Sequence, residues 1–192
     1  MPEPPSLDEI RIRALGADDA PALFAAVRDS LASLSYWFTW CSADYSLADA
    51  KARVAQCAAL WERDEACVFG IFGGSDLALL GCVGLNDIRP DGRRDANGKA
   101  SSANLGYWVG EAHRGHGVAS TAAAMAAAYG FDILGLSRIE IATLPHNEAS
   151  QRVAEKLGAV RDPDSRRSLD FQGENVDAVV YSLSAHSIAL PL

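Results

Sequence analysis

Asn104-Leu-Gly-Tyr-Trp-Val-Gly110-Glu-Ala-His-Arg114-Gly-His-Gly117-Val-Ala-Ser-Thr-Ala-Ala123 reads as three joined pieces. Leu105 to Val109 is a short apolar strand. A tight polar connection ends in Arg114-Gly115-His116-Gly117-Val118-Ala119, and a long alanine-rich helix follows. A strand that feeds a glycine-rich turn at the start of a helix leaves backbone N–H groups unpaired. They point at one spot, beside the positive end of the helix dipole. Such a place suits phosphate, and glycine lets the backbone approach because no Cβ stands in the way.

Three phosphate-loop chemistries can be compared with it. A Walker loop needs Lys and Ser/Thr after its second glycine, but His116 and Gly117 follow Gly115. A dinucleotide fingerprint needs a third glycine, and Ser120 holds that place behind Gly115 and Gly117. Glu140 lies at a fitting distance for the ribose-binding acid, so this reading stays open. A third pattern, Arg/Gln-x-x-Gly-x-Gly/Ala, is met in full by Arg114, Gly117 and Ala119.

The whole chain sets bounds on these readings. Its 192 residues, 49% apolar and 22% charged, suit one globular domain. Residues 1–8 read as a loose tail and 9–192 as the domain. The net charge of −8 argues against nucleic acid and anionic membrane as partners, and it is compatible with a basic amine substrate. Cys41, Cys57, Cys67 and Cys82 form no C-x-x-C pair, so reduced, buried thiols are expected. There is no apolar run of membrane-spanning length and no set of metal ligands, and a cytoplasmic protein is the expectation.

Outward from the opening stretch, Glu9–Leu15 alternates as a strand. A helix begins at Asp18 or Asp19 and carries Leu23, Val27, Leu31 and Leu34 on one face. The aromatic segment Ser35–Cys41 follows. Its Trp37 and Trp40 either pack in the core or wall a substrate pocket. Ser46 and Asp49 resemble a capping box for the next helix. Ala66–Phe72 and Leu77–Leu85 read as a hairpin. Asp87–Ser102 is a polar excursion whose Arg93-Arg94 pair is either solvated or meets substrate. After the alanine-rich helix come a strand at 137–144, a helix opened by Asn147 and stopped by Gly158, Ala159-Val160, a polar turn at 162–167 and a terminal strand at 176–183. This order gives α+β, with a mostly antiparallel sheet and one βαβ crossover.

Asn147-Glu-Ala-Ser150 through Lys156-Leu157-Gly158 supplies a second signature. With the Arg114–Ala119 loop, in this order, it resembles the GNAT superfamily of N-acetyltransferases. The Leu-Gly-Tyr-Trp strand, the Asn-x-x-Ser helix start and the upstream Trp-x-x-Trp look like the RimJ and RimL branch. The resemblance spans Ile10 to Leu183 and is strongest from Leu105 to Gly158. It implies a mixed sheet of six to seven strands flanked by helices and splayed between strands 4 and 5, with acetyl-CoA as co-substrate in the split. Arg114, Gly115, His116, Gly117, Val118, Ala119 and Ser120 would then hold the pyrophosphate, largely through backbone amides. Trp108 and Val109 would pair through main-chain groups with the pantetheine arm. Asn147 would bond the cofactor, although it also reads as a simple helix cap.

The implied reaction moves acetyl directly to a primary amine, on a protein N-terminus or a small molecule. The implied assembly is a homodimer. Three positions depart from the commoner family pattern. Ala154 stands where a proton-donating Tyr is frequent, Asn104 where a Glu is frequent, and Ala159 where an aromatic is usual. The branch resemblance suggests Ser150 as the group that meets the leaving thiolate. Asp87, Asp170, Glu111, His146 and a water chain are the alternatives for the base. A CoA-binding module without catalysis is the second reading. A dinucleotide-binding oxidoreductase is the third, and the hundred or so residues ahead of the loop argue against it.

Overall fold

The computed structural model describes residues 6–74, 77–89 and 102–188. Its frame is a seven-stranded sheet in the order β1-β2-β3-β4-β5-β9-β6. The strands are β1 (Arg11–Ala14), β2 (Cys67–Gly73), β3 (Ala78–Arg89), β4 (Ser102–Val109), β5 (Arg138–Thr143), β6 (Val160–Arg161) and β9 (Val179–Leu183). Every neighbouring pair is antiparallel except β4 and β5. β7 (Ser168–Phe171) and β8 (Glu174–Asp177) form a separate hairpin. One parallel pair in such a sheet is the expected α+β architecture and differs from the parallel array of a dinucleotide fold.

Helices cover both faces. α1 (Ala20–Asp29), α2 (Leu31–Trp37) and α3 (Leu47–Glu62) bury Leu23, Val27, Leu34 and Val54 in one cluster with Phe72 and Leu79. α4 (Val118–Asp132) and α5 (Glu148–Lys156) pack on the other cluster with Leu85, Leu105, Ile139 and Ile141. α4 is buried on most sides because its many alanines let neighbouring strands approach it closely. α3 has the expected cap: Asp49 N–H donates to Ser46 Oγ, and Ser46 N–H donates back to Asp49.

Three features differ from the sequence expectations. The helix expected to carry Leu23 through Leu34 breaks at Ser30 (φ −112°, ψ 13°), where the buried Ser30 hydroxyl accepts a hydrogen bond from the distant Glu111 N–H at 3.0 Å. The single terminal strand is two strands separated at Ala178, whose N–H donates to the Arg167 carbonyl. Residues 174–177 instead fold back on 168–171 through Gln172 (φ 55°) and Gly173 (φ 85°). Positive φ at both central positions is the requirement of a tight hairpin turn. Of the stretch read as a tail, residues 6–8 are described. Leu7–Glu9 is a 3-10 turn, and Leu7 packs on the core. The Arg93-Arg94 pair lies outside the described residues.

The sheet opens where the expectation placed it. β4 and β5 pair only from Ser102↔Arg138 to Asn104↔Glu140. Beyond Asn104 the strands part, and the Asn104 side-chain oxygen accepts the Ala142 N–H of β5 at 3.3 Å. The residue that stands in place of a carboxylate therefore closes the vertex of the split. Arg167 fastens the same end from outside, 2.7 Å from Glu140 on β5 and 3.0 Å from Asp87 on β3.

Candidate active site

The loop between β4 and α4 is bent by two left-handed glycines, Gly115 (φ 81°) and Gly117 (φ 82°). Gly117 is also the N-cap of α4, with no side-chain cap, so the first-turn N–H groups of Val118, Ala119 and Ser120 precede any helix carbonyl that could accept them. A Cβ on Gly117 would lie 3.3 Å from the Leu7 side chain. The loop is anchored from behind. Arg114 Nε donates to the Val109 carbonyl at 3.1 Å and its NH2 group to Ser33 Oγ at 2.9 Å. Gly110 N–H donates to the Leu80 carbonyl at 2.8 Å, and Ser30 takes the Glu111 N–H. The α1–α2 break thus presents two serines to the loop, a contact with no local signal in the sequence.

In front of the loop lies a cavity of about 470 Å³. Its walls bring together Trp37, Trp108, Val109, Arg114, Gly115, Gly117, Val118, Ala119, Ser120, Asn147 and Ser150. His116 is exposed and is not among the lining residues, and Trp40 lies elsewhere. Arg152 and Lys156, one turn apart on α5, also line it. Sequence reading named Lys156 only as part of the helix signature and gave neither residue a place in the cleft, although their four-residue spacing puts both cations on one helix face.

The ladder between β3 and β4 decides which main-chain groups reach the split. Gly110 N–H bonds the Leu80 carbonyl, and the register continues through Cys82↔Trp108 and Gly84↔Gly106. Alternation along an antiparallel pair turns the Trp108 main chain toward β3 and those of Tyr107 and Val109 toward the split. The main-chain groups that face the split are therefore those of Tyr107 and Val109, not of Trp108, and the Val109 carbonyl accepts from Arg114. β3 can come this near because position 81 is glycine: a Cβ there would collide with the Trp108 carbonyl and lie 2.9 Å from Val109 Cα.

At the start of α5 the Asn147 side-chain oxygen accepts the Ser150 N–H at 3.2 Å, so Asn147 caps the helix. The cap uses the amide oxygen alone. Ser150 Oγ stands 3.1 Å from the Tyr107 hydroxyl, which also donates to the Ser150 carbonyl at 3.0 Å. Burial pushes the Tyr107 phenol up to about 12, so it stays protonated at neutral pH. Ala154 is fully buried in the core.

Across the sheet a second cavity, of about 970 Å³, lies between α1–α3 and β3–β4. It shares Phe38, Tyr107 and Trp108 with the first, so the two meet at β4. Trp40 lines it, 48% exposed, with its ring 5.5 Å from Phe38 and 6.0 Å from Tyr45. Asp44, Asp49 and Arg53 bring charge to its walls. Hydrogen bonds from Ser46 hold the Asp49 carboxyl below the usual carboxylate range. None of the four residues considered as base lines either cavity. Asp87 is paired with Arg167, and Asp170 accepts the Gly173 N–H in its hairpin turn. Glu111 is exposed in a 3-10 turn, and His146 stacks on Trp37 at 5.4 Å. Among the described residues no helix is long and apolar enough to cross a membrane, and no cluster of His, Cys, Asp or Glu could hold a metal.

Comparison with known proteins agrees with this geometry. A family model for the acetyltransferase (GNAT) domain matches residues 9–160. YjcK, a probable N-acetyltransferase of Bacillus subtilis, is 33% identical over 129 residues, 67% of each chain. Among solved structures, a putative ribosomal-protein-serine acetyltransferase from Vibrio cholerae superposes with a TM-score of 0.72 at 26% identity, covering 92% of this chain and 94% of its own. The microcin self-immunity acetyltransferase MccE, in complex with acetyl-CoA and AMP, gives 0.79 at 20% identity over 92% and 93% of the two chains.

Proposed function

This chain belongs to the GNAT acetyltransferase family, an acetyl-CoA-dependent group of N-acyltransferases, and on that premise we propose that its acceptor is the N-terminal α-amine of a protein or peptide. The observation that carries this reading is the cavity of about 970 Å³ meeting the smaller cleft at Tyr107 and Trp108. That volume is at the upper end for small-molecule pockets and leaves room for the first residues of a peptide. The Vibrio cholerae neighbour, named for a ribosomal-protein serine, supports the same class of acceptor.

The residues of the smaller cleft fit acetyl-CoA, which supplies an acyl thioester. The left-handed glycines and the first-turn N–H groups of α4 suit its pyrophosphate, with Arg114 bracing the loop from behind. Arg152 and Lys156 add positive charge on the α5 side. Main-chain groups of Tyr107 and Val109 offer an extended edge to an amide-rich arm. Trp108 lines both cavities with its side chain, Asn147 orders the first turn of α5, and Trp37 and Trp40 wall the cleft and the acceptor cavity respectively. Ser150, which lines the cleft, donates a hydrogen bond to the leaving thiolate, and water in the open acceptor cavity removes the amine proton. A cytoplasmic setting, in keeping with four buried unpaired cysteines, and a homodimer complete the proposal.

The test is release of CoA thiol from acetyl-CoA with a panel of acceptors. Peptides with free N-termini should give the highest kcat/KM, and the same peptides with blocked N-termini should give none. Preference for a polyamine or an aminoglycoside over every peptide would defeat the assignment of the acceptor.

A further inference from the structure

Tyr107 brings a phenol to the place where this chain has no tyrosine on α5. Its oxygen touches Ser150 twice, at the carbonyl (3.0 Å) and at Oγ (3.1 Å). The Ser150 carbonyl lies one helical turn before the buried Ala154, so the phenol approaches that turn from β4 instead of from the helix itself. Tyr107 also lines both cavities, which puts this pair where cofactor and acceptor spaces meet.

Counting hydrogens shows what the pair can do. A phenol has one hydrogen, a carbonyl can only accept, and a serine hydroxyl does both. While Tyr107 donates to the Ser150 carbonyl, the serine hydrogen has the Tyr107 oxygen as an acceptor at 3.1 Å. When the Tyr107 hydrogen turns onto Oγ, the serine hydrogen is released toward the cleft. A hydroxyl that accepts one hydrogen bond also becomes a stronger donor of the next. Rotation of the two hydroxyl hydrogens about their C–O bonds switches Ser150 between the two arrangements without moving a heavy atom.

We propose that Tyr107 is a positioning residue for acetyl transfer: its hydroxyl holds Ser150 and, by donating to Oγ, turns the serine hydrogen onto the departing sulfur. This rests on the assignment of Ser150 made above. As the amine lone pair forms the C–N bond, the C–S electron pair passes to sulfur, stabilised by the Ser150 hydrogen bond. The proton lost from nitrogen reaches sulfur through water, and both hydroxyls end with the hydrogens they began with.

The experiment uses Tyr107→Phe, Ser150→Ala and the double variant, with two readouts. One is steady-state kinetics. The other is the titration of the thiol of bound CoA in the absence of turnover, followed by thiolate absorbance. Tyr107→Phe should lower kcat about tenfold, the scale of one hydrogen bond to a developing charge, with CoA affinity retained. It should also raise the pKa of the bound thiol toward that of free CoA, and it should add nothing in the Ser150→Ala background. Phe keeps the ring and its packing, and the melting temperature verifies folding. Unchanged kcat and thiol titration in Tyr107→Phe, with Ser150→Ala impaired in both, would overturn the role of Tyr107 alone. If Ser150→Ala itself changes neither readout, the assignment of Ser150 falls, and this inference with it.

Discussion

The cleft in front of the α4 N-terminus and the cavity across the sheet share β4 as a wall but are built differently. The cleft takes the groups proposed to bind pyrophosphate from one run of sequence, 114–120, and mainly from backbone. The other cavity takes its walls from residues scattered between Leu15 and Trp108, on two helices, three strands and the segment 38–45. Recognition by main chain needs a particular backbone path, and that path is encoded by few residues: two glycines with positive φ and a helix start. Recognition by side chains needs an assembled surface. A loop of the first kind suits a fixed co-substrate, and a surface of the second kind suits the acceptor proposed for it.

Three substitutions probe this contrast. Gly117→Glu should have the largest effect, leaving no measurable CoA binding. It places a like charge in the phosphate cradle and a Cβ at a φ of 82°, where a side chain is strained. Calorimetric titration reads the loss and circular dichroism the fold. Retained affinity in a folded protein would detach the loop from the cofactor.

Gly81→Ala should come next, because it strikes the shared wall. Its Cβ collides with the Trp108 carbonyl, so β4 must shift, at a cost of about 1–3 kcal/mol for overpacking. Denaturant unfolding should show that loss, and CoA affinity and acceptor KM should worsen together. A change in only one of them would mean that the two cavities are less coupled than their common wall implies.

Trp40→Ala should be the mildest. The ring is 48% exposed, stacks on Phe38 and meets Tyr45 at a tilt, so its removal should raise the acceptor KM by about fivefold, the scale of one aromatic contact. CoA affinity should stay as it was. An equal loss of CoA affinity would take Trp40 out of an acceptor-only role.

The same contrast explains what could be read in advance. The loop, the α5 start and the order of elements were legible because each is local: a strand, two glycines, an asparagine cap. The β7–β8 hairpin left a signal too, in Gln172-Gly173 between alternating Leu169, Phe171 and Val176, but Gln-Gly is a weaker turn mark than Asn-Gly. The break at Ser30 was hidden, since Leu23, Val27, Leu31 and Leu34 keep helical spacing across it. At the break the Ser30 hydroxyl bonds residue 111, far along the chain. His146 and Asp87 looked available for proton transfer by residue type alone. In the fold one stacks on Trp37 and the other is held by Arg167.

By itself the sequence determined the fold class, the glycine-bent turn at the start of α4 and the co-substrate, because backbone conformation at glycines and helix caps is set by nearby residues. Only the tertiary structure decided how the site is completed. Asn104 became the vertex of the split, Trp108 was turned toward β3 by the ladder register, and Tyr107 was brought from β4 to Ser150, 43 positions along the chain. Those outcomes depend on which strand lies beside which helix, and long-range packing of the sheet against α4 and α5 sets that arrangement.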